Sequence, residues 1–394
     1  MSELASVWPH LSGPQVKGLA QYSLGVHLAE GIGLSRVSLC LGQWLGEKVT
    51  AVRERLRDFY RDAADKHGPE RRELVVEDCF AGLLAWVLGG WPPGSGEQMA
   101  LALDATTLND RFVVLAVSVV YRGSAIPVAW KILPAAEPGR WKPHWLELLE
   151  RLRGQVPAWW RVIVLADRGL YAKWLFEKIV TLGWHPFLRI NSQGAFRAAG
   201  QPQGRPIAEF LTAPGQSAAR SGQMFSGTRS QLACTLTACW SAGCAEPWLV
   251  LTDLPADQAP AAWYALRGWI ERGFKHQKSG GLGWQMTRMT DPGRAARLWL
   301  VMAVATVRAM RCGTPPPEPP PEPPPALTPA STPAAKPVAP AKRRRPDLSV
   351  MLIGLLLSRM MLCQGHASPP PPLRPAPWPS QLPTYHQRLG GLPP

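Results

Sequence analysis

Two short apolar runs, each closed by an aspartate, decide the fold: ALALD from Ala100 to Asp104 and VIVLAD from Val162 to Asp167. Continuous apolar runs of this length predict strands that are buried on both faces. We expect each aspartate to end its strand, because side chains beyond the carboxyl ends of neighbouring strands meet at the crevice of an open α/β sheet. Two close carboxylates repel unless a cation lies between them, and Mg²⁺ or Mn²⁺ suits such oxygen ligands.

The segments around these runs predict an α/β body with a mixed sheet. An antiparallel hairpin, with its turn at Arg122-Gly123, follows the first run, and strands alternate with helices after it. We predict strands at 112–120, 125–133, 186–190, 231–240 and 248–254. We predict helices at 145–153, 170–182, 256–278 and 294–310.

The chain divides by composition into three regions. Residues 1–98 have helical periodicity at 24–46, 48–67 and 77–88. Residues 99–312 form the α/β body, in which the Gly/Ser/Gln-rich stretch 191–246 is expected to be a β-rich insertion. More than half of the 42 prolines lie in residues 313–394, which predicts a mostly disordered tail with a short helix near 348–364.

Composition excludes several classes of protein. Hydrophobic residues make up 46% of the 394 residues and charged residues 18%, which excludes global disorder. Seven scattered cysteines do not make a disulfide scaffold or a zinc site. The net charge of +15 points to a polyanionic partner. With no secretory signal or membrane span in the sequence, we expect a soluble cytoplasmic chain without a membrane partner.

The paired aspartates alone do not establish a catalytic site. An aspartate after a strand is often a turn former or a helix N-cap. The segment after Asp253 adds a pattern, since five side chains fall within an arc of roughly 80° on a helix. These are Tyr264, Arg267, Glu271, Lys275 and Lys278. The stripe fits a metal-binding carboxylate flanked by phosphate-binding cations, or alternatively an ordinary solvated face with i,i+4 pairs.

The stripe resembles the Tyr-x₂-Arg-x₃-Glu-x₆-Lys signature of insertion-sequence DDE transposases. The runs LALDATTL and VIVLADRGLY resemble the first and second aspartate motifs of that family, and WLVLTDLP resembles the strand before its signature helix. The resemblance covers about residues 99–305. Gly268 and Gly273 depart from it, because glycine is a poor helix former.

The resemblance implies an RNase H-like catalytic domain with a β-rich insertion. It implies that Asp104, Asp167 and Glu271 are the catalytic residues and bind two Mg²⁺ ions, with Mn²⁺ as a substitute. The implied activity is cut-and-paste transposition, in which DNA ends are nicked, released through a hairpin and transferred to a target.

The resemblance also implies how DNA is held, and it makes the helical residues 1–98 a DNA-binding region. Tyr264, Arg267 and Lys278 would bind phosphates of the DNA end, with help from Lys275. Trp248 would stack on a flipped base, and Arg168 is a further phosphate ligand by its place beside Asp167. The implied partners are the terminal inverted repeats of the element, the target DNA and a second copy of the chain in a synaptic complex.

Two alternatives stay open on the sequence. A metal-dependent nuclease would share the three carboxylates but would not need the Tyr/Arg/Lys clamp. A decayed copy of an element would bind DNA without cutting it.

Overall fold

The structure, a computed structural model, describes residues 1–66, 71–91, 97–137, 139–225, 231–316, 348–365 and 371–380. Its N-terminal region is helical, as the periodicity predicts. The helices there are α1 (Ser2–Val7), α2 (Gly13–Ala29), α3 (Leu34–Leu45), α4 (Val49–Tyr60) and α5 (Phe80–Gly89).

The single helix predicted at 24–46 is wrong. The Ser12 side chain and Gln15 form a capping box that starts α2 earlier, and α2 ends where Glu30 adopts a left-handed conformation with φ 49°. The chain then turns, so that α3 lies at 96° to α2. Within the described residues no single helix is long and apolar enough to cross a membrane, although this bent pair passes the same test when its two helices are taken together.

The described residues form one sheet of ten strands in the order β3-β2-β1-β4-β5-β10-β9-β8-β6-β7. The first five strands are β1 (Gln98–Leu108), β2 (Phe112–Tyr121), β3 (Ser124–Pro134), β4 (Arg161–Ala166) and β5 (His185–Arg189). The others are β6 (Ala195–Ala198), β7 (Arg205–Pro206), β8 (Ser217–Met224), β9 (Leu232–Cys239) and β10 (Trp248–Thr252). The α/β class and the mixed sheet flanked by helices are confirmed.

The centre of the sheet is the parallel trio β1, β4 and β5. The predicted hairpin packs beside it as β2 and β3, and its turn is the predicted one, with φ 43° at Arg122 and 81° at Gly123. Two successive positive φ values match the right-handed twist of the paired strands, and glycine adopts such values at little cost.

The stretch 191–246 contributes four strands to the same sheet. β10 joins them to the body, since it pairs antiparallel with β5 on one side and with β9 on the other. β8 pairs with β9, and β6 pairs with β8. The stretch is therefore rich in β-structure and extends the sheet edge beyond β10.

The helices of the body are α6 (Lys142–Arg151), α7 (Lys173–Thr181), α8 (Trp269–Lys278) and α9 (Pro292–Gly313). α9 packs against β3 and against the N-terminal helices α2 and α4, and its residues from Leu298 to Ala305 are all buried. One hydrophobic core therefore includes side chains from residues 1–98 and from the sheet.

Part of the proline-rich region packs on this core. A helix predicted near 348–364 is present as α10 (Val350–Cys363), and it lies against α9. In the segment 371–380, Leu373 is fully buried and the Trp378 ring lies 4.8 Å from that of Trp263. The disorder predicted for the rest of 313–394 falls on residues 317–347, 366–370 and 381–394, which lie outside the described residues.

Candidate active site

Asp104 and Asp167 lie side by side at the end of the β1–β4 ladder. The last parallel pair is Ala102 with Leu165, so each aspartate is two residues beyond its end of the ladder. Asp167 follows β4, as predicted. The prediction that Asp104 ends its strand is wrong, because β1 continues to Leu108 by pairing with β2 beyond the point where β4 stops.

Glu271 reaches the same place from another element. The segment predicted as one helix over 256–278 is interrupted: a 3₁₀ turn spans Ala256–Gln258, a longer 3₁₀ helix spans Ala261–Gly268, and α8 begins at Trp269. Gly268 lies at the junction of the last two. The prediction of a continuous α-helix is therefore wrong, but Arg267 and Glu271 still lie one turn apart and contact each other.

A single guanidinium binds all three carboxylates. Nη2 of Arg267 lies 3.0 Å from Oδ2 of Asp104 and 3.2 Å from Oδ2 of Asp167, while Nη1 contacts Oε1 of Glu271. The site opens outward, since the side chains of Asp104, Asp167 and Glu271 are 14%, 40% and 59% exposed. The fold thus brings together the three predicted catalytic residues, which the sequence separates by up to 167 positions.

The charges of the site shift two pKa values. Burial raises the pKa of Asp104 to about 6; Arg267 opposes this rise, and the nearby carboxylates of Asp167 and Glu271 add to it. Burial alone would lower the pKa of Arg267, but Asp104 and the other anionic groups outweigh it, so that this pKa lies above its ordinary value. One cation therefore does not fully compensate the buried carboxylate.

Backbone donors hold the other oxygen of each aspartate. Oδ1 of Asp104 accepts a hydrogen bond from the amide of Ala105 (2.9 Å), and Oδ1 of Asp167 accepts one from the amide of Gly169 (2.9 Å). Each Oδ2 atom is thus directed towards the centre of the site, at Arg267. Sequence reasoning missed both the contact of Arg267 with the carboxylates and the role of Gly169; the i,i+4 spacing of Arg267 and Glu271 was the available signal for the first.

The donor set fits a divalent cation. Carboxylate oxygens from three elements converge, and they are the ligands that Mg²⁺ and Mn²⁺ prefer. As the side chains stand, the described residues contain no group of three or more His, Cys, Asp or Glu side chains arranged to hold a metal ion. In this arrangement Arg267 contacts all three carboxylates.

The other residues of the signature occupy different environments. Tyr264 is buried, and its hydroxyl donates to the carbonyl of Ala166 at 3.4 Å. Lys275 is exposed, and Lys278 is partly buried. Burial lowers the pKa of Lys278, while the charge of Asp104 acts in the opposite direction. The roles predicted for these residues in DNA binding stay predictions, and that of Tyr264 requires its hydroxyl to leave the core.

Trp248 and Arg168 flank the site. The Trp248 ring lies 5.3 Å from that of Tyr264 at 75°, and its side chain is partly buried at the start of β10. Nη1 of Arg168 lies 2.9 Å from Oε1 of Glu246, and Glu246 also forms an ion pair with Arg189. The structure therefore places Trp248 against the signature segment and Arg168 in an ion pair at its margin.

Part of this site lies in a segment that matches a known family model. Residues 142–308 match the family model of the transposase DDE domain. The chain is similar in structure to the piggyBac transposase in a synaptic complex with hairpin DNA, at 11% identity and a TM-score of 0.36, over 75% of this chain and 69% of that one. No curated protein matches this chain. The family match contains Asp167 and Glu271, begins after Asp104, and supports a DDE transposase.

Proposed function

We propose that this chain is a transposase that cuts an insertion sequence from DNA and joins it to a new site. The observation that carries the proposal is the convergence of Asp104, Asp167 and Glu271 at the end of the β1–β4 ladder. The match of residues 142–308 to the transposase DDE domain supports it. The net charge of +15 is consistent with a DNA partner.

The three carboxylates would hold two Mg²⁺ ions, or Mn²⁺ in their place. When bound, such ions make water or a 3′-hydroxyl a better nucleophile and stabilise the leaving oxygen of an in-line displacement. The chain holds the two aspartates in equivalent register, Asp104 on β1 and Asp167 just after β4, with Oδ1 of each bound by a backbone amide. The side chain of Glu271 is the most exposed of the three.

The surroundings of the site would bind the DNA end. Exposed Lys275 and half-buried Lys278 lie on α8 with Glu271, and cations there would contact phosphates. Trp248 would stack on a flipped base, which favours release of the end through a hairpin. In this proposal residues 1–98 bind the terminal inverted repeats, and two copies of the chain join two ends in one synaptic complex.

The test is cleavage of the DNA that flanks the gene in its source genome. Purified chain is incubated with labelled duplexes of both flanks, with Mg²⁺, Mn²⁺ or Ca²⁺, and products are separated on denaturing gels. Wild type is compared with Glu271→Gln and with the matched control Glu177→Gln, an exposed glutamate on α7. We expect nicking at the element end with Mg²⁺ and Mn²⁺, retained in the control and lost in Glu271→Gln while DNA binding persists.

Three other outcomes would each change the conclusion. Equal cleavage by Glu271→Gln would remove Glu271 from the site. Cleavage without joining of the freed 3′ end to a target plasmid would indicate a nuclease. DNA binding without cleavage by wild type would indicate a decayed copy.

A further inference from the structure

Arg267 is positioned as a cation of the site itself. Its side chain is 14% exposed and its guanidinium is shared among three acidic groups. Its Nε is buried and has no hydrogen-bond partner among the residues that the structure describes. A buried donor without a partner has a cost, so this position is held by its charge contacts and is not a fully satisfied hydrogen-bonding site.

Arg267 and a divalent cation require the same oxygens. Backbone amides already bind Oδ1 of Asp104 and Oδ1 of Asp167, which leaves the two Oδ2 atoms to face the centre. Nη2 of Arg267 lies within 3.2 Å of both. A cation held by the two aspartates would compete with this nitrogen for the same oxygens and would repel its charge.

We propose that Arg267 is an internal counter-ion that a divalent metal must displace, and that a phosphate of the DNA end receives the displaced guanidinium. The inference rests on the proposed function, because it takes the metal and the DNA end from it. Metal binding and DNA-end binding then strengthen each other, since each removes the contact that opposes the other. Such coupling is reciprocal and typically changes affinity by about 5–150-fold.

This arrangement would weaken metal binding by the chain when no DNA is bound. Without a phosphate, the guanidinium has to leave three carboxylates for water before a cation can enter. With a phosphate nearby, it exchanges one set of anionic oxygens for another, which guanidinium groups bind well. Because Arg267 and Glu271 lie four residues apart, a change of Arg267 rotamer would free Glu271 as well.

The first experiment measures metal binding without DNA. Mn²⁺ is titrated into the full chain, and free Mn²⁺ is followed by electron paramagnetic resonance. Wild type is compared with Arg267→Gln and with Arg272→Gln, a control on α8 whose guanidinium donates to the carbonyl of Gly123 at 3.3 Å. We expect Arg267→Gln to bind Mn²⁺ about tenfold more tightly than wild type and Arg272→Gln to match wild type. Equal or weaker binding by Arg267→Gln would overturn the counter-ion role.

A second variant separates an effect on metal binding from a defect in folding. Arg267→Lys keeps a charge but has only one ammonium group, so it cannot bind three carboxylates in the same way. We expect Mn²⁺ affinity between those of wild type and Arg267→Gln, with circular dichroism spectra unchanged in all variants. Weaker Mn²⁺ binding by Arg267→Lys than by wild type would contradict the inference.

The second experiment measures coupling. The Mn²⁺ titration is repeated with a saturating duplex of the flanking DNA that is already cut in both strands at the element end, so that Mn²⁺ leaves no strand at that end to cleave. DNA should raise the Mn²⁺ affinity of wild type about tenfold and that of Arg267→Gln less than twofold. Equal enhancement in both would overturn the coupling. If Arg267→Gln binds Mn²⁺ more tightly than wild type but neither wild type nor any variant cleaves DNA, the counter-ion role of Arg267 is supported and the proposed function is wrong.

Discussion

Nε2 of His276 lies 2.9 Å from Oγ of Ser349, and Nδ1 of the same ring lies 3.0 Å from Oγ of Ser124. Ser349 caps the N-terminus of α10, whereas Ser124 begins β3. The helix that carries Glu271 is thus connected through one histidine to the hairpin of the sheet and to the C-terminal helix. The C-terminal region therefore contacts the element that completes the site.

The buried histidines should make stability dependent on pH. Burial, with help from the charges of Arg272 and Lys275, lowers the pKa of His276 from 6.5 to about 4. The unfolded chain then binds a proton at a higher pH than the folded chain. Stability should fall as pH falls from about 6.5 towards 4, by about 3 kcal/mol for this group. Burial of His27 lowers its pKa to about 3 and adds to the same slope.

Urea unfolding followed by tryptophan fluorescence at several pH values between 7.5 and 4.5 measures this slope. His276→Asn should unfold more easily at pH 7.5, because the contacts to Ser124 and Ser349 change, but its stability should fall less on acidification. An unchanged slope in the variant would contradict the role given to His276.

Asp104→Asn should make the folded chain more stable while it abolishes DNA cleavage. Because burial raises the pKa of Asp104 from 3.8 to about 6, the folded chain binds this proton more tightly than the unfolded chain. The stabilisation that protonated Asp104 provides is therefore lost as pH rises from about 4 to 6. At pH 7.5 the ionised side chain lowers the free energy of unfolding. We expect the neutral isostere to raise the free energy of unfolding by on the order of 1–3 kcal/mol at pH 7.5 while cleavage is abolished. A destabilised variant would mean that the contact with Arg267 outweighs burial.

Gly354→Ala should separate α10 from α9. A Cβ on Gly354 would lie 1.7 Å from the carbonyl oxygen of Ala309, and one on Gly313 would lie 1.9 Å from that of Val350. Backbone atoms cannot give way as a flexible side chain does, so we expect a loss of about 1–3 kcal/mol. Gly89→Ala in α5 is the matched control, because its Cβ would meet nothing within 4 Å. Thermal unfolding that shows equal melting temperatures for the two variants would contradict this contact.

Tyr264→Phe tests whether the signature tyrosine is structural or binds DNA. Its hydroxyl is buried and donates to the carbonyl of Ala166 at 3.4 Å, so its removal should cost about 1 kcal/mol of stability. If the hydroxyl stays in the core, affinity for the flanking DNA should be unchanged within twofold. A clear loss of DNA affinity, with little change in stability, would instead support the predicted phosphate contact.

Much of the fold is visible in the sequence because its signals are local. The apolar run before Asp167 predicts β4, and the pair Arg122-Gly123 predicts the turn of the hairpin. The extension of β1 beyond Asp104 was not predictable in this way, because it depends on pairing with β2 where β4 has ended. The interruption before α8 has a local signal in Gly268, but a glycine alone does not show where a 3₁₀ helix gives way to an α-helix.

In the candidate site, too, some features follow from local sequence and others only from tertiary packing. The sequence by itself determined which residues carry charge, which strands end beside an aspartate, and the spacing of Arg267 and Glu271, since each depends on neighbours along the chain. Only the tertiary structure decided that Arg267 lies between Asp104 and Asp167 and that Tyr264 is buried. Those positions depend on distances between residues about 100 or more apart in sequence, which are fixed by the packing of the 3₁₀ helix Ala261–Gly268 against the sheet and not by any local preference.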